Sequence, residues 1–227
     1  MFSSYRKNDI KKKLESMSIY PLDVMITGVT GAGKSTTINV LFGETVATVG
    51  CGVDPETMDL TSYELSDVAR FWDTPGLGDG VEADRIHSKK IIDLLYKTYT
   101  RDNITHGFID LALVVIEGSH RDLGTTNKLL CDVIIPNIQA DRILVAINQA
   151  DMAMKGRFWD KQRNEPEEPL KDFLENMSLR FQIRIQESTG VKINLPVYYS
   201  AAHNYNIEQL MDMVIDNIPT QRRQLVK

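Results

Sequence analysis

Two periods of apolar residues alternate along this chain. Leu22 to Thr27 is a short, largely apolar run of strand length, and Ser35 to Phe42 behind it has helical character. The same alternation predicts strands at 22–27, 58–65, 68–73, 109–116, 142–147 and 195–199. Between and after them it predicts helices at 34–42, 82–100, 124–135, 168–187 and 206–217. Leu111 to Ile116 and Ile143 to Ile147 are unbroken apolar runs, as expected of strands covered on both faces. Strands 58–65 and 68–73, joined by Ser66-Asp67, are expected to pair antiparallel. The other strands, separated by helices, are expected to run parallel. Ahead of this, Ile10, Leu14 and Met17 recur at helical spacing among Arg6, Lys7, Lys11, Lys12 and Lys13, which predicts a short amphipathic helix packed on the domain flank. Pro21 separates it from the first strand. The expected organisation is an N-terminal helix within 1–20, one α/β domain over 21–220 and a tail at 221–227. Met152 to Pro169 breaks the pattern and reads as an exposed connection.

Composition narrows the class. The 227 residues are 42% hydrophobic and 25% charged, which suits one globular domain with an appendage. No apolar stretch approaches the ~18 residues of a membrane span, and Met1 to Lys13 lacks the apolar core of a secretory signal. Two cysteines, Cys51 and Cys131, make no disulfide framework, so a reducing cytoplasm is expected. The net charge of −5 argues against nucleic-acid binding by broad electrostatics.

The chemistry sits at predicted strand ends. Gly28-Val29-Thr30-Gly31-Ala32-Gly33-Lys34-Ser35, followed by Thr36, links the first strand to the first helix. Such a loop converges backbone N–H groups on a phosphate, adds the helix dipole, and places Lys34 against the β/γ-oxygens and the Ser35 hydroxyl on Mg²⁺. Strand 68–73 ends in Asp73-Thr74-Pro75-Gly76, where an acid can hold the Mg²⁺ shell and the Gly76 N–H can approach a γ-phosphate. Loss of that phosphate is expected to release the loop Leu77 to Asp84. Strand 142–147 ends in Asn148-Gln149-Ala150-Asp151. A carboxylate accepts from N1–H and N2–H₂ of guanine, and adenine offers no such donor pair, so Asp151 selects GTP over ATP. Asn148 is expected to brace this loop and reach the base or the phosphate loop. Ser200-Ala201-Ala202, after strand 195–199, can turn a backbone N–H toward the guanine O6. The loop 44–58 should supply a threonine to Mg²⁺: Thr57, with Thr45 and Thr48 as alternatives. The catalytic candidates are thus Lys34, Thr57 and Gly76, and the metal ligands Ser35, Thr57 and Asp73.

These boxes in this order resemble the translation-factor-related superclass of P-loop GTPases. Residues 33–43 resemble its Era/septin-like members, and 148–160 are similar to prophage-associated, Era-like bacterial GTPases. The resemblance implies a Ras-like fold with a six-stranded, mostly parallel sheet, one antiparallel edge strand and helices on both faces. It also implies Mg²⁺·GTP at the strand ends, hydrolysis to GDP, and switch behaviour. Three positions depart from relatives. Leu77 stands where Ras-type enzymes place a water-orienting glutamine, Gly31 where some relatives carry a potassium-binding asparagine, and Gln149 where a lysine stem usually covers the base. Slow turnover is expected, dependent on self-association across the nucleotide face or on a ribosome, RNA or protein partner. Arg85 and Arg121 are candidates for the missing charge, and His87 and His120 for water alignment; each is also an ordinary surface or structural residue. The competing functions are a nucleotide-dependent assembly module, in which hydrolysis is secondary, and an ATP-dependent kinase or ATPase, which would make Asp151 incidental.

Overall fold

A computed structural model describes residues 5–16, 21–43, 61–66, 69–101, 103–119 and 123–225. Its main sheet has six strands: β1 (Leu22–Gly28), β2 (Thr61–Ser66), β3 (Ala69–Asp73), β6 (Leu111–Glu117), β7 (Ile143–Asn148) and β10 (Val197–Tyr198). Their order is β10-β7-β6-β1-β3-β2. Every neighbouring pair is parallel except β2 with β3, so the expected antiparallel edge strand is present.

Alternation along β6 divides the core in two, because successive side chains leave opposite faces of a strand. Leu111, Leu113 and Val115 join a cluster with Ile10 and Leu14 of α1 (Lys7–Ser16), Ile38 and Leu41 of α2 (Lys34–Phe42), and Leu210 and Val214 of α6 (Ile207–Asp216). Ala112, Val114 and Ile116 face α3 (Val81–Tyr96), the 129–134 segment and α5 (Glu168–Thr189) through Ile91, Leu95, Leu130, Phe181 and Ile185. The N-terminal helix is bound to α6 by polar contacts as well. Arg6 bridges Asp212 and Asp216 at 2.8 Å each, and the Lys13 ammonium donates to the Ile215 carbonyl at 2.8 Å.

Three segments depart from the expected elements. The helix expected over 82–100 stops at Tyr96, and β4 (Thr98–Arg101) pairs antiparallel with β5 (Ile104–Gly107). Thr98-Tyr99-Thr100 is β-branched and aromatic, and Asn103 takes the left-handed turn (φ 63°), so strand propensity outweighs the helical spacing that continued from α3. The helix expected at 124–135 becomes α4 (Leu123–Lys128), a wider π-type segment over Leu129–Ile134, and a tight turn over Ile135–Asn137 at Pro136. The stretch 152–169 is more than a connection. It contains a small hairpin, β8 (Trp159–Asp160) with β9 (Glu165–Pro166), and Trp159 is buried beside Leu170 and Leu174.

The underside of the sheet, opposite the strand carboxyl ends, is closed by charged groups. Asp23 accepts two 2.8 Å bonds from the Arg70 guanidinium and one from the Trp72 indole N–H. Residues 221–224 pass beneath. The Gly107 N–H donates to the Arg223 carbonyl (2.8 Å), Arg142 to the Gln221 carbonyl (2.7 Å) and Gln139 to the Gln224 carbonyl (2.6 Å). The Arg223 side chain is itself fully buried and donates to the Leu95 carbonyl. Among the described residues, no helix is long and apolar enough to cross a membrane.

Candidate active site

The loop between β1 and α2 follows from its glycines. Gly28 has φ 154°, and a Cβ there would collide with the Val115 carbonyl oxygen of β6. Gly31 and Gly33 both have φ 84°, a left-handed conformation that glycine adopts without steric cost. A Cβ on Gly33 would also strike the Asn148 amide. α2 begins at Lys34, whose ammonium is folded back onto the Gly28 and Val29 carbonyls at 3.3 and 3.1 Å. Burial pulls the Lys34 pKa down, while Asp73 and Asp79 oppose the shift.

Asp73 ends β3 beside this lysine. Burial raises its pKa; Lys34, the Thr74 N–H and the Ser35 hydroxyl lower it. Its Oδ1 is buried without a hydrogen-bond partner among the described residues. A carboxylate oxygen and an adjacent serine hydroxyl are oxygen donors of the kind that Mg²⁺ takes. No cluster of three His, Cys, Asp or Glu side chains that could hold a metal ion occurs among the described residues.

The segment after Asp73 is docked on the phosphate loop. The Thr30 N–H donates to the Leu77 carbonyl at 2.7 Å, and the Thr30 hydroxyl donates to Asp79 at 2.9 Å. Gly76 lies so close that a Cβ would sit 2.6 Å from the Thr30 hydroxyl oxygen. The Gly76 carbonyl lies 2.6 Å from His87 Nδ1; a carbonyl only accepts, so Nδ1 carries the proton. Asp84 accepts from the Gly78 and Asp79 N–H groups at 2.7 and 3.3 Å, tying the loop to the first turn of α3. Leu77 is 3% exposed and packs in the α3 side of the core. Arg85 is exposed and paired with Glu82 at 2.7 Å. Thr57, Thr45, Thr48, His120 and Arg121 lie outside the described residues.

Asn148, at the end of β7, is 2% exposed and spans two loops. Its Nδ2 donates to the Ala32 carbonyl at 2.9 Å, and its Oδ1 accepts from the Ala201 N–H at 3.0 Å. Gln149 is left-handed (φ 61°), and its amide donates to the Gly31 carbonyl at 2.8 Å. Asp151 accepts from the Ser200 hydroxyl at 2.6 Å, and its other oxygen lies 3.6 Å from His203 Nε2. A cleft of about 790 Å³ runs from Gly33 and Thr36 past Asn148 to Asp151, Ser200 and Ala202. The loop after β1, the loop Asn148-Gln149-Ala150-Asp151 and the Ser-Ala-Ala turn therefore share one cavity. Sequence reasoning missed His203, Met152 and Lys155. His203 directly follows Ser-Ala-Ala, but a histidine there carries no pattern of its own. Met152 and Lys155 also line the cleft, yet they fall in the stretch read as a connection.

Comparison with known proteins shows the family and the fold. A family model described as 50S ribosome-binding GTPase matches residues 23–149. The T-cell-specific guanine nucleotide triphosphate-binding protein 2 of Mus musculus is 41% identical over 75 residues, 30% of this chain. The matched stretch spans only 18% of that relative's length. Toc33 from Arabidopsis thaliana, solved in complex with GDP and Mg²⁺, shares the fold at a TM-score of 0.64 and 17% identity, over 98% of this chain and 94% of that one. Era from Aquifex aeolicus, bound to GDP·AlF4⁻, shares it at a TM-score of 0.50 and 18% identity, over 87% and 56%. With the match running from the first strand through the phosphate loop to Gln149, this chain belongs to the GTPase family described as 50S ribosome-binding.

Proposed function

We propose that the chain binds Mg²⁺·GTP in this cleft and hydrolyses it slowly to GDP and phosphate, with the loops 44–58 and 77–86 responding to the γ-phosphate. Asn148 carries the reading. One buried side chain ties the phosphate loop to the Ser-Ala-Ala turn, with Asp151 beside it. A ligand that is anionic at one end and a hydrogen-bond donor at the other matches this arrangement, and a guanine nucleotide has that form.

Lys34 would exchange its two carbonyl contacts for β/γ-oxygens, bringing positive charge to the bond that breaks between the γ-phosphorus and the bridging oxygen. Gly31 and Gly33 would supply backbone N–H groups to the phosphates, Ala32 would do so on leaving its 3.2 Å turn bond to Val29, Thr30 only on leaving its bond to Leu77, and the Thr36 N–H would face the α-phosphate. Ser35, Asp73 and Thr57 would hold Mg²⁺, which when bound neutralises charge on the β- and γ-oxygens. Gly76 is the candidate N–H donor to the γ-phosphate. With Leu77 packed in the core, no side chain at that position orients the attacking water, which supports slow intrinsic turnover.

The family description supports a ribosomal partner for a cytoplasmic GTPase, and co-sedimentation with 50S particles in GDP and in a non-hydrolysable GTP analogue tests it. Pairing across the nucleotide face is the second partner reading; its motivation is a relative fold, Toc33, of which a dimerization-deficient mutant is known.

The central test is Asp151→Asn. Removing the carboxylate takes two charge-assisted bonds from guanine, so GTP affinity should fall roughly 100-fold, while xanthosine triphosphate, with O2 in place of N2–H₂, gains affinity. Unchanged GTP preference in that variant would overturn the guanine assignment, and equal competition by ATP in the wild type would favour the kinase or ATPase reading.

A further inference from the structure

A second cavity lies at the opposite rim of the sheet from the nucleotide cleft. It encloses about 370 Å³ and is lined by Asp23, Arg70, Tyr99, Arg101, Phe108 and Arg222. These residues come from the amino ends of β1 and β3, the β4–β5 hairpin and the C-terminal segment. Charge in the lining is one-sided. Among the described residues, three guanidinium groups share it with a single carboxylate. That carboxylate, Asp23, accepts two bonds from Arg70 and one from Trp72, so the lining as a whole keeps a positive excess. The excess continues around it. The Lys97 ammonium lies 5.0 Å from the Phe108 ring centre, and burial together with the Arg142 charge pulls the Arg223 pKa down to about 10. The chain as a whole is acidic, with a net charge of −5, so this concentration of cations is local. A low-dielectric cavity walled by one sign of charge favours the opposite sign.

Aromatic rings hold these cations in place. The Arg70 guanidinium carbon lies 5.5 Å from the Phe108 ring centre, and that of Arg222 lies 5.3 Å from the Tyr99 ring centre. A guanidinium already stacked loses little further rotamer freedom on meeting an oxyanion. The Tyr99 hydroxyl is buried without a hydrogen-bond partner among the described residues. Burial raises its pKa, Arg222 and Arg101 lower it, and Asp110 and Asp23 add to the rise. Both arginine charges therefore reach the same phenol. A buried donor left without a partner calls for an ion, a water or a ligand near it.

We propose that this cavity binds the phosphate group of a small phosphorylated organic molecule, with Arg101 and Arg222 holding the anion and Phe108 and Tyr99 beside the organic part. The site is separate from the nucleotide cleft and does not depend on the guanine reading. A terminal phosphate brings three oxygens and nearly two charges to several N–H donors, whereas a carboxylate brings two oxygens and one charge. The volume falls at the small end of ligand pockets and leaves room beyond a bare ion, which is why the phosphate is assigned a carrier.

Calorimetric titration with phenyl phosphate, inorganic phosphate and benzoate tests this. Because the phosphate loop also attracts anions, the Lys34→Ala chain is titrated beside the wild type and serves as the parent of the other variants. Phenyl phosphate should bind both chains, with inorganic phosphate and benzoate each weaker by about tenfold. Arg101→Ala and Arg222→Ala should each weaken phenyl phosphate by about tenfold or more. Arg184→Ala, at an exposed arginine of α5, should leave it within about twofold of the parent. Melting of Arg101→Ala without ligand should match its parent, because that residue is exposed. The proposal is overturned if phenyl phosphate does not bind, if Lys34→Ala abolishes its binding, or if Arg101→Ala and Arg222→Ala leave it unaltered. Equal losses in Arg184→Ala would reduce the site to diffuse surface charge, and equal affinity for benzoate or inorganic phosphate would remove the phosphorylated organic ligand; either result overturns it. A wild-type chain with no affinity for GTP or GDP sinks only the guanine reading.

Discussion

Asp110 is a buried carboxyl group whose protonation bears on this fold. It is fully buried at the foot of β6, and burial pushes its carboxyl up to about 6. The Asp23 N–H bond and the Arg222 and Arg142 charges oppose that shift, while the Asp23 carboxylate adds to it. Its folded pKa lies above the unfolded value of 3.8, so between about 3.8 and 6 the native state binds more protons than the unfolded one. On this group's account stability rises as pH falls through 6, and above 6 the full cost of the buried charge is present, roughly 3 kcal/mol. Asp110→Asn should therefore raise the Tm at pH 7.5, and the gain should shrink below pH 6 and vanish near pH 4. A Tm difference that does not vary with pH would show that the buried charge is compensated. Nothing in the sequence marked Asp110, because its environment is created by strands and a C-terminal segment far apart along the chain.

At the scale of elements, the loops of the cleft behave as one unit because Asn148 joins them. Asn148→Ala would leave the Ala32 carbonyl and the Ala201 N–H without their partner, at a cost of about 2–4 kcal/mol for two buried bonds. GDP affinity should also drop by at least about tenfold, since the phosphate and base ends are no longer held in register. Urea melting and nucleotide titration check the two effects separately; intact affinity would mean the loops are positioned without it. This cleft was legible in sequence because each box is a contiguous string at the end of an apolar strand. Gly28 to Ser35 reads as a phosphate loop from local backbone need alone, and Asn148 to Asp151 from chemistry. The two hairpins were not legible. Thr98 to Thr100 fall at the end of the helix expected over 82–100, and their pairing with Thr105 to Gly107 is a tertiary contact that no local pattern reveals. Trp159 depends on a pocket formed by residues of α5 and the Tyr205 loop, which no local pattern reveals.

The whole molecule is polarised. Every described residue assigned to the nucleotide lies at the carboxyl ends of the parallel strands, as open α/β sheets require, while β4, β5 and residues 221–224 close the other rim. Stability and ligand affinity should therefore separate. Arg223→Ala removes a buried side chain that reaches the Leu95 and Asn137 carbonyls, and should lower the Tm by several degrees while leaving GDP affinity within about twofold. Weakened GDP binding in that variant would show that the two rims communicate. The junction of Gly28 with Val115 carries a related consequence. Since that glycine rests on a carbonyl of the neighbouring strand, the take-off point of the phosphate loop is set by the pairing of β1 with β6 as well as by the loop's own glycines. A methyl group at position 28 would press on that carbonyl, so Gly28→Ala is expected to displace the start of the loop bodily while every residue after it stays as it is.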